Sequence, residues 1–141
     1  MIAREDAKGF EYDWLAVDAE GFVAMFSTAG AGYAPAELLQ DPEGFDSAID
    51  AILQMPVRNA AACVRELPPG RVNTWKLIAE RGVFAFDSDP LGGPYRLVAS
   101  PHVPVLATEL PSHVSSVASR IVLSNVLFRR ATELGERQIR R

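Results

Sequence analysis

Few residues of this sequence have the chemistry of a nucleophile or a metal ligand. The chain contains one cysteine, Cys63, and two histidines, His102 and His113. A catalytic thiol needs a histidine partner in a recognisable signature, and a zinc site needs cysteine or histidine ligands at short spacing. Neither pattern occurs, and a Gly-x-Ser-x-Gly nucleophile elbow is also missing. The sequence therefore predicts no catalytic residue, no metal and no cofactor.

Two loops contain fragments of ligand-binding motifs. Gly30-Ala31-Gly32 follows a predicted strand, but a dinucleotide-binding turn needs a third glycine where Pro35 stands. Asp87-Ser88-Asp89 has the carboxylate spacing of a calcium loop, but Pro90 follows and no glutamate closes the loop. We interpret both segments as turns, the first because glycine tolerates a positive φ.

Aromatic residues and one arginine offer an alternative site that only the fold could assemble. Trp14, Tyr33, Trp75 and Tyr95 could line a pocket, with Arg96 holding an anionic group. Such a pocket would make the chain a small-molecule-binding or enzymatic domain. Large aromatic residues also supply much of the core of a small domain, so a purely structural role stays open.

Charge is distributed unevenly along the chain, whose net charge is −4. Residues 1–50 contain eleven acidic and two basic residues, a balance of −9, whereas residues 51–141 contain seven acidic and twelve basic residues, a balance of +5. Either the two halves neutralise each other, or the acidic half meets a basic partner. The candidate partner contacts are Asp13, Asp18, Glu20, Glu37, Asp41 and Glu43.

The arginine-rich C-terminal segment does not favour nucleic-acid binding. Its basic residues have little aromatic interleaving, and the whole chain is acidic, with an isoelectric point of about 5.2. The N-terminus is charged without an apolar signal segment, and no apolar run is long enough to span a membrane. With a single cysteine the chain cannot form an internal disulfide, so we expect a cytoplasmic protein.

Hydrophobic patterning predicts one α+β domain of 141 residues. Strands are expected at 12–17 and 22–28 around a glycine turn, and at 83–86 and 95–99, with 100–106 as an edge strand or extended segment. Residues 121–123 and 126–128 are expected to form one or two closing strands, with a helix as the alternative. Helices are expected at 36–40, 45–55, 58–67, 73–82 and 113–120, and 129–141 as an exposed helix or tail. Two hairpins then build a mostly antiparallel sheet with the helices packed on one side.

Three segments together resemble a group of small uncharacterised bacterial proteins. They are residues 12–30, with Tyr12-Asp13-Trp14 and Gly30; residues 81–87, Arg-Gly-Val-Phe-Ala-Phe-Asp; and residues 93–99, Gly-Pro-Tyr-Arg-Leu-Val-Ala. Some proteins of this group resemble immunity proteins of bacterial toxin systems. The resemblance covers residues 10–128 and brings no catalytic residue with it.

These observations predict a non-enzymatic, protein-binding role, immunity-like or as an adaptor. An acidic first half would suit a basic protein partner, because complementary charge raises association rate and specificity. The small-molecule-binding or enzymatic domain is the alternative. A homodimer that uses the edge at 100–106 is the third hypothesis.

Overall fold

The computed structural model describes residues 1–64 and 73–140. Within them the chain forms seven strands, six α-helices and one 3-10 turn, Ala107–Glu109. The strands are β1 (Asp13–Asp18), β2 (Val23–Ser27), β3 (Ala61–Cys63), β4 (Phe84–Asp87), β5 (Tyr95–Pro101), β6 (Val122–Leu123) and β7 (Glu133–Leu134). The helices are α1 (Arg4–Ala7), α2 (Ala36–Gln40), α3 (Pro42–Leu53), α4 (Thr74–Ala79), α5 (Ser112–Ala118) and α6 (Glu136–Ile139).

All strands belong to one open sheet with the order β3-β5-β4-β2-β1-β6, and β7 also pairs with β5. β1 pairs with β2 and β4 with β5 in antiparallel fashion, whereas β2 pairs with β4 and β1 with β6 in parallel. The α+β prediction is confirmed, but the sheet is mixed rather than mostly antiparallel. The difference arises because α2, α3 and α4 intervene between β2 and β4, which lets β4 return parallel to β2.

Two faces of the sheet are covered in different ways. On one face, α3 and α5 contact β1, α4 contacts β4 and β5, and α3 contacts both α4 and α5. On the opposite face, Trp14 stacks on Phe26 with ring centroids 4.2 Å apart, and Phe26 stacks on Phe86 at 5.1 Å. Phe128, from the segment after β6, packs edge-on against Phe26. The aromatic residues of alternating strand positions therefore form a core that the C-terminal part of the chain completes.

Several local predictions are wrong. The segment predicted as a helix at 58–67 contains the short strand β3, while 65–67 lies outside the described residues. Of the segment predicted as an edge strand or extended segment at 100–106, residues 100–101 belong to β5 and pair with β3, so β3 is the outer strand here and the edge-strand alternative is wrong. Of the one or two closing strands expected at 121–123 and 126–128, the structure contains one, β6, and 126–128 is not a strand.

The segment after residue 128 is tied to the sheet. β7 pairs with the start of β5, and the side chains of Leu134 and Ile139 are buried. Because β7 and α6 each bury an apolar side chain, residues 129–140 form part of the packed structure. None of the helices that the structure describes is long and apolar enough to cross a membrane.

Candidate functional site

An acidic surface lies where the start of β1 meets α3. It consists of Glu11, Asp13, Glu43, Asp46 and Asp50, and we call these five residues the acidic surface. Helical spacing of three and four residues places the three carboxylates of α3 close to one another. β1 begins at Asp13, and α3 packs directly against β1. Sequence reasoning selected Asp13 and Glu43 but missed the other three, because a helical face becomes evident only when the helix is fixed against the sheet.

Two carboxylates of this surface, Asp13 and Asp46, have raised pKa values, and burial is the main cause. Burial raises the pKa of Asp13, a hydrogen bond with Ser27 opposes that shift, and the charges of Asp46 and Glu11 raise it further. Burial also raises the pKa of Asp46, followed by the charges of Asp50 and Glu43. Burial and neighbouring negative charges thus act in the same direction on both carboxyl groups.

A row of polar residues crosses the sheet beside this surface. Asp13 lies opposite Ser27, and Ser27 lies opposite Asp87 in the parallel pair. The indole Nε1 of Trp75, from α4, donates to Ser27 Oγ at 3.3 Å. Neither of the two cavities described below is lined by these residues. We therefore interpret the row as the polar boundary between sheet and helices rather than as a substrate pocket.

The other predicted partner contacts are placed differently from one another. Asp18 is only 2% exposed, and its carboxylate accepts hydrogen bonds from the backbone N–H groups of Glu20, Phe22 and Phe128. It closes the β1–β2 turn and fastens the C-terminal segment to it. Glu37, on α2, is half-buried and Glu43 is exposed.

Two predicted contacts form ion pairs with the basic half of the chain. Arg120 Nη1 lies 2.8 Å from Asp41 Oδ2, and Arg129 Nε lies 2.6 Å from Glu20 Oε1. The hydrogen bond from Arg129 lowers the pKa of Glu20, and the hydrogen bond from Arg120, with that from the Gly44 backbone, lowers the pKa of Asp41. The acidic and basic halves therefore neutralise each other at these points, and among residues 1–64 and 73–140 no such ion pair reaches the acidic surface.

The predicted aromatic site does not come together as one pocket. Trp14 and Tyr95 are buried in the core, where Trp14 Nε1 donates to the Tyr95 hydroxyl at 3.2 Å. Burial raises the pKa of Tyr95, and its hydroxyl donates to the Tyr33 carbonyl at 2.6 Å. Trp75 lies on the helix-covered face of the sheet. Arg96 is exposed, and its Nη1 lies 3.7 Å from Asp89 Oδ2.

A cleft of about 550 Å³ lies beside the turn that contains Gly30 and Gly32. Its walls come from α1, residues 28–34, residues 93–94 and the region of α6, so it unites both ends of the described chain. Its charged lining residues are Arg4, Lys8, Glu136 and Arg140. Sequence reasoning missed all four, because residues more than 130 positions apart meet only through the fold. A second, smaller cavity of about 270 Å³ lies between Phe84 and Arg129.

The remaining motif fragments have structural roles. The N–H groups of Ala31 and Gly32 both donate to the Thr28 carbonyl, so they close a turn rather than face a ligand. A Cβ at Gly32 would meet the Ser88 side chain at 2.7 Å, which explains why glycine fits there. Asp89 Oδ1 accepts from the N–H of Leu91 within its own turn. In the described ranges 1–64 and 73–140, no group of three or more His, Cys, Asp or Glu side chains is arranged to hold a metal ion.

Comparison with known protein families, with curated proteins and with solved structures found no match to this chain. The resemblance of three segments to small bacterial proteins therefore stays a prediction. Function has to be inferred from the acidic surface and the cleft themselves.

Proposed function

We propose that this chain is a non-enzymatic binding domain that recognises a basic partner protein through the acidic surface. The observation that carries the proposal is a contrast between two sets of acidic residues. Asp41, Glu20 and Asp89 have arginine partners, whereas no ion pair within the described ranges joins the carboxylates of the acidic surface. Within the described part of the chain, the arginines of the basic half thus neutralise other acids than these five.

Like charges within the acidic surface reduce the stability of the free domain. Asp46 and Asp50 are four residues apart on α3, where like charges cost a few tenths of a kcal/mol each. Burial and negative neighbours both raise the pKa values of Asp13 and Asp46, so their ionised forms are unfavourable in the free chain. A basic partner would relieve this repulsion on binding. Residues that lower stability without a packing role are a recurrent feature of functional surfaces.

An exposed aromatic side chain adjoins the acidic surface. Phe10, the residue before Glu11, is 63% exposed. Aromatic anchors next to charged residues are typical of protein interfaces, where the aromatic side chain supplies affinity and charge supplies association rate. An immunity-like or adaptor role, in which the domain sequesters a basic protein, fits a surface of this composition.

The test compares three tagged baits in pull-downs from lysate of the host, with captured proteins identified by mass spectrometry. The first bait is the wild-type chain, and the second carries Glu43→Gln, Asp46→Asn and Asp50→Asn. The third carries Glu5→Gln, Asp6→Asn and Glu133→Gln, which removes the same charge from exposed positions outside the acidic surface. We expect a stoichiometric basic partner with the first and third baits and its loss with the second.

Salt provides an independent check on the same complex. Contacts between exposed charges weaken as ionic strength rises, so the wild-type affinity should fall steeply with salt, and less steeply with the second bait. Equal capture by all three baits contradicts the acidic surface as the contact. Absence of any stoichiometric partner with the wild-type bait contradicts the protein-binding role itself.

A further inference from the structure

The cleft between α1, the Gly30 turn and α6 has the opposite charge to the rest of the chain. Three cationic side chains, Arg4, Lys8 and Arg140, line it together with one acidic side chain, Glu136. Arg140 Nη1 lies 3.3 Å from Glu136 Oε1, so the single carboxylate is paired within the cleft. The lining therefore keeps an excess of two positive charges in a protein whose net charge is −4.

Arg4 is held in the cleft by contacts other than an ion pair with a described carboxylate. Its Nη1 donates to the Ala34 carbonyl at 2.6 Å, and its guanidinium carbon lies 5.0 Å from the centre of the Tyr33 ring. The carbonyl and the ring fix the side chain, and the other N–H groups of the guanidinium make no ion pair within the part of the chain that the structure describes. An arginine that is oriented but not neutralised is a ready donor for an anion.

The backbone around the cleft allows a ligand to approach closely. Gly30, Gly32, Gly93 and Gly135 all line it, so four of its wall residues have no side chain. Gly30 and Gly93 have φ values of +94° and +100°, which residues with side chains rarely adopt. The N–H of Gly9 donates to the Gly30 carbonyl at 2.8 Å and ties the end of α1 to this turn. The cleft is thus a formed feature of the fold.

We propose that this cleft binds a small organic anion, with a carboxylate or phosphate group held by Arg4 and Lys8. The volume of about 550 Å³ lies within the range of pockets that bind small molecules. Side-chain cations hold the anion rather than a phosphate-binding loop, because the N–H groups of Ala31 and Gly32 are already bonded to Thr28. The rings of Tyr12 and Tyr33 line the same cleft and provide contact for the organic part.

The proposal can be tested with two simple probes on the full, isotope-labelled chain. Pyrophosphate and citrate are titrated separately at constant ionic strength, and the amide resonances of Gly30, Gly32, Gly93 and Gly135 are followed by NMR. We expect one probe to shift these four resonances saturably, and the stronger probe identifies phosphate or carboxylate as the preferred group. Failure of both probes to give a saturable shift overturns the proposal.

Matched variants separate specific binding from general charge attraction. Arg4→Gln and Lys8→Gln should each weaken binding about tenfold, as the loss of a charged hydrogen bond does. Arg137→Gln removes the same charge from an exposed position on α6 outside the cleft, and should change the affinity by less than about twofold. Equal weakening in all three variants overturns the assignment. Because Arg4→Gln also removes the contacts of Arg4 with Ala34 and Tyr33 and could rearrange the cleft, Lys8→Gln provides a second test that leaves those contacts in place.

Discussion

Asp13 and Asp18, only five positions apart on β1, show how position decides the role of a carboxylate. Asp18 is surrounded by three backbone N–H donors and organises a turn. Asp13 lies at the other end of the strand among other acids, with one hydroxyl as its hydrogen-bond partner. The Asp18 carboxylate stabilises the fold because it satisfies backbone N–H donors that would otherwise lack a partner. The ionised Asp13 carboxylate is unfavourable because it is partly buried among other acids.

The raised pKa values of Asp13 and Asp46 predict a specific dependence of stability on pH. Both groups bind protons more tightly in the folded chain, so their contribution is fully favourable below the ordinary value of 3.8 and is lost as pH rises through the raised pKa. A variant with Asp13→Asn and Asp46→Asn should therefore be more stable than wild type near pH 7. Its advantage in free energy of unfolding should vanish towards about pH 4, which urea unfolding across this interval measures.

Glu20 and Asp41 supply the control for that measurement. Their pKa values are lowered by arginine partners, so their contribution is present above the ordinary carboxyl pKa and is lost as pH falls through the lowered value. Neutralising either one should lower stability near pH 7. If the variant with Asp13→Asn and Asp46→Asn is less stable than wild type at neutral pH, the ionised carboxylates of the acidic surface do not destabilise the fold.

The sequence shows where the acidic residues lie along the chain, but it does not predict which of them form ion pairs. The uneven balance between the halves of the chain was visible in the sequence, and the structure shows neutralisation between the halves at two ion pairs, while a basic partner stays a prediction. Arg120 reaches Asp41 across 79 positions, and Arg129 reaches Glu20 across 109. Pairings at such separations depend on the order of strands in the sheet, which local patterns do not encode.

At the scale of the element, the N-terminal cap of α3 changes the expected effect of a glycine-to-alanine substitution. The Asp41 side chain accepts from the N–H of Gly44, and a Cβ added at Gly44 would collide with that carboxylate. Replacing glycine by alanine inside a helix usually stabilises it by about 1 kcal/mol. Here Gly44→Ala should instead lower Tm by a few degrees, because the cap and the Arg120 contact are displaced together.

Ser47→Ala, at an exposed position of the same helix, is the matched control and should leave Tm unchanged or raise it slightly. Thermal unfolding followed by circular dichroism measures both variants. A Gly44→Ala variant at least as stable as wild type would show that the cap can rearrange without loss.

Elements with strong local signals were predicted well. The helix at 36–40 was predicted with its observed bounds, and the spacing of Phe45, Ile49 and Ile52 marked the buried face of α3. β3 was missed because Ala61, Ala62 and Cys63 have no β-branched side chain, and only the neighbouring β5 makes them a strand. The long-range partner, rather than intrinsic preference, decides the structure there.

At the scale of the whole molecule, the sheet should unfold as a single cooperative unit although its faces are covered by different segments. Leu134 is 1% exposed in β7, so Leu134→Ala should reduce stability by about 2–5 kcal/mol. Trp14 reports on the aromatic face and Trp75 on the helix-covered face. Trp75→Phe leaves Trp14 as the probe, and Trp14→Phe leaves Trp75. In both backgrounds, Leu134→Ala should lower the urea midpoint measured by tryptophan fluorescence by the same amount.

Two different midpoints would mean that the C-terminal segment detaches before the sheet and its helices unfold. The parent single-tryptophan chains, with Leu134 intact, provide the reference for each probe. Whole-molecule features of this kind were beyond the sequence, since the parallel pairings β2–β4 and β1–β6 link residues that no local turn connects.

The hydrogen bond from the Phe128 N–H to Asp18 spans 110 positions of the chain, and it has a consequence for synthesis in the cell. At roughly 5–20 residues per second, a ribosome takes on the order of ten seconds to make that stretch. For most of this interval Trp14 and Phe26 have been translated, but Phe128, which packs against Phe26, has not. A nascent chain with an uncovered aromatic sheet face is a substrate for chaperones, so yield in the cell should depend on them more than the stability of the finished fold would indicate.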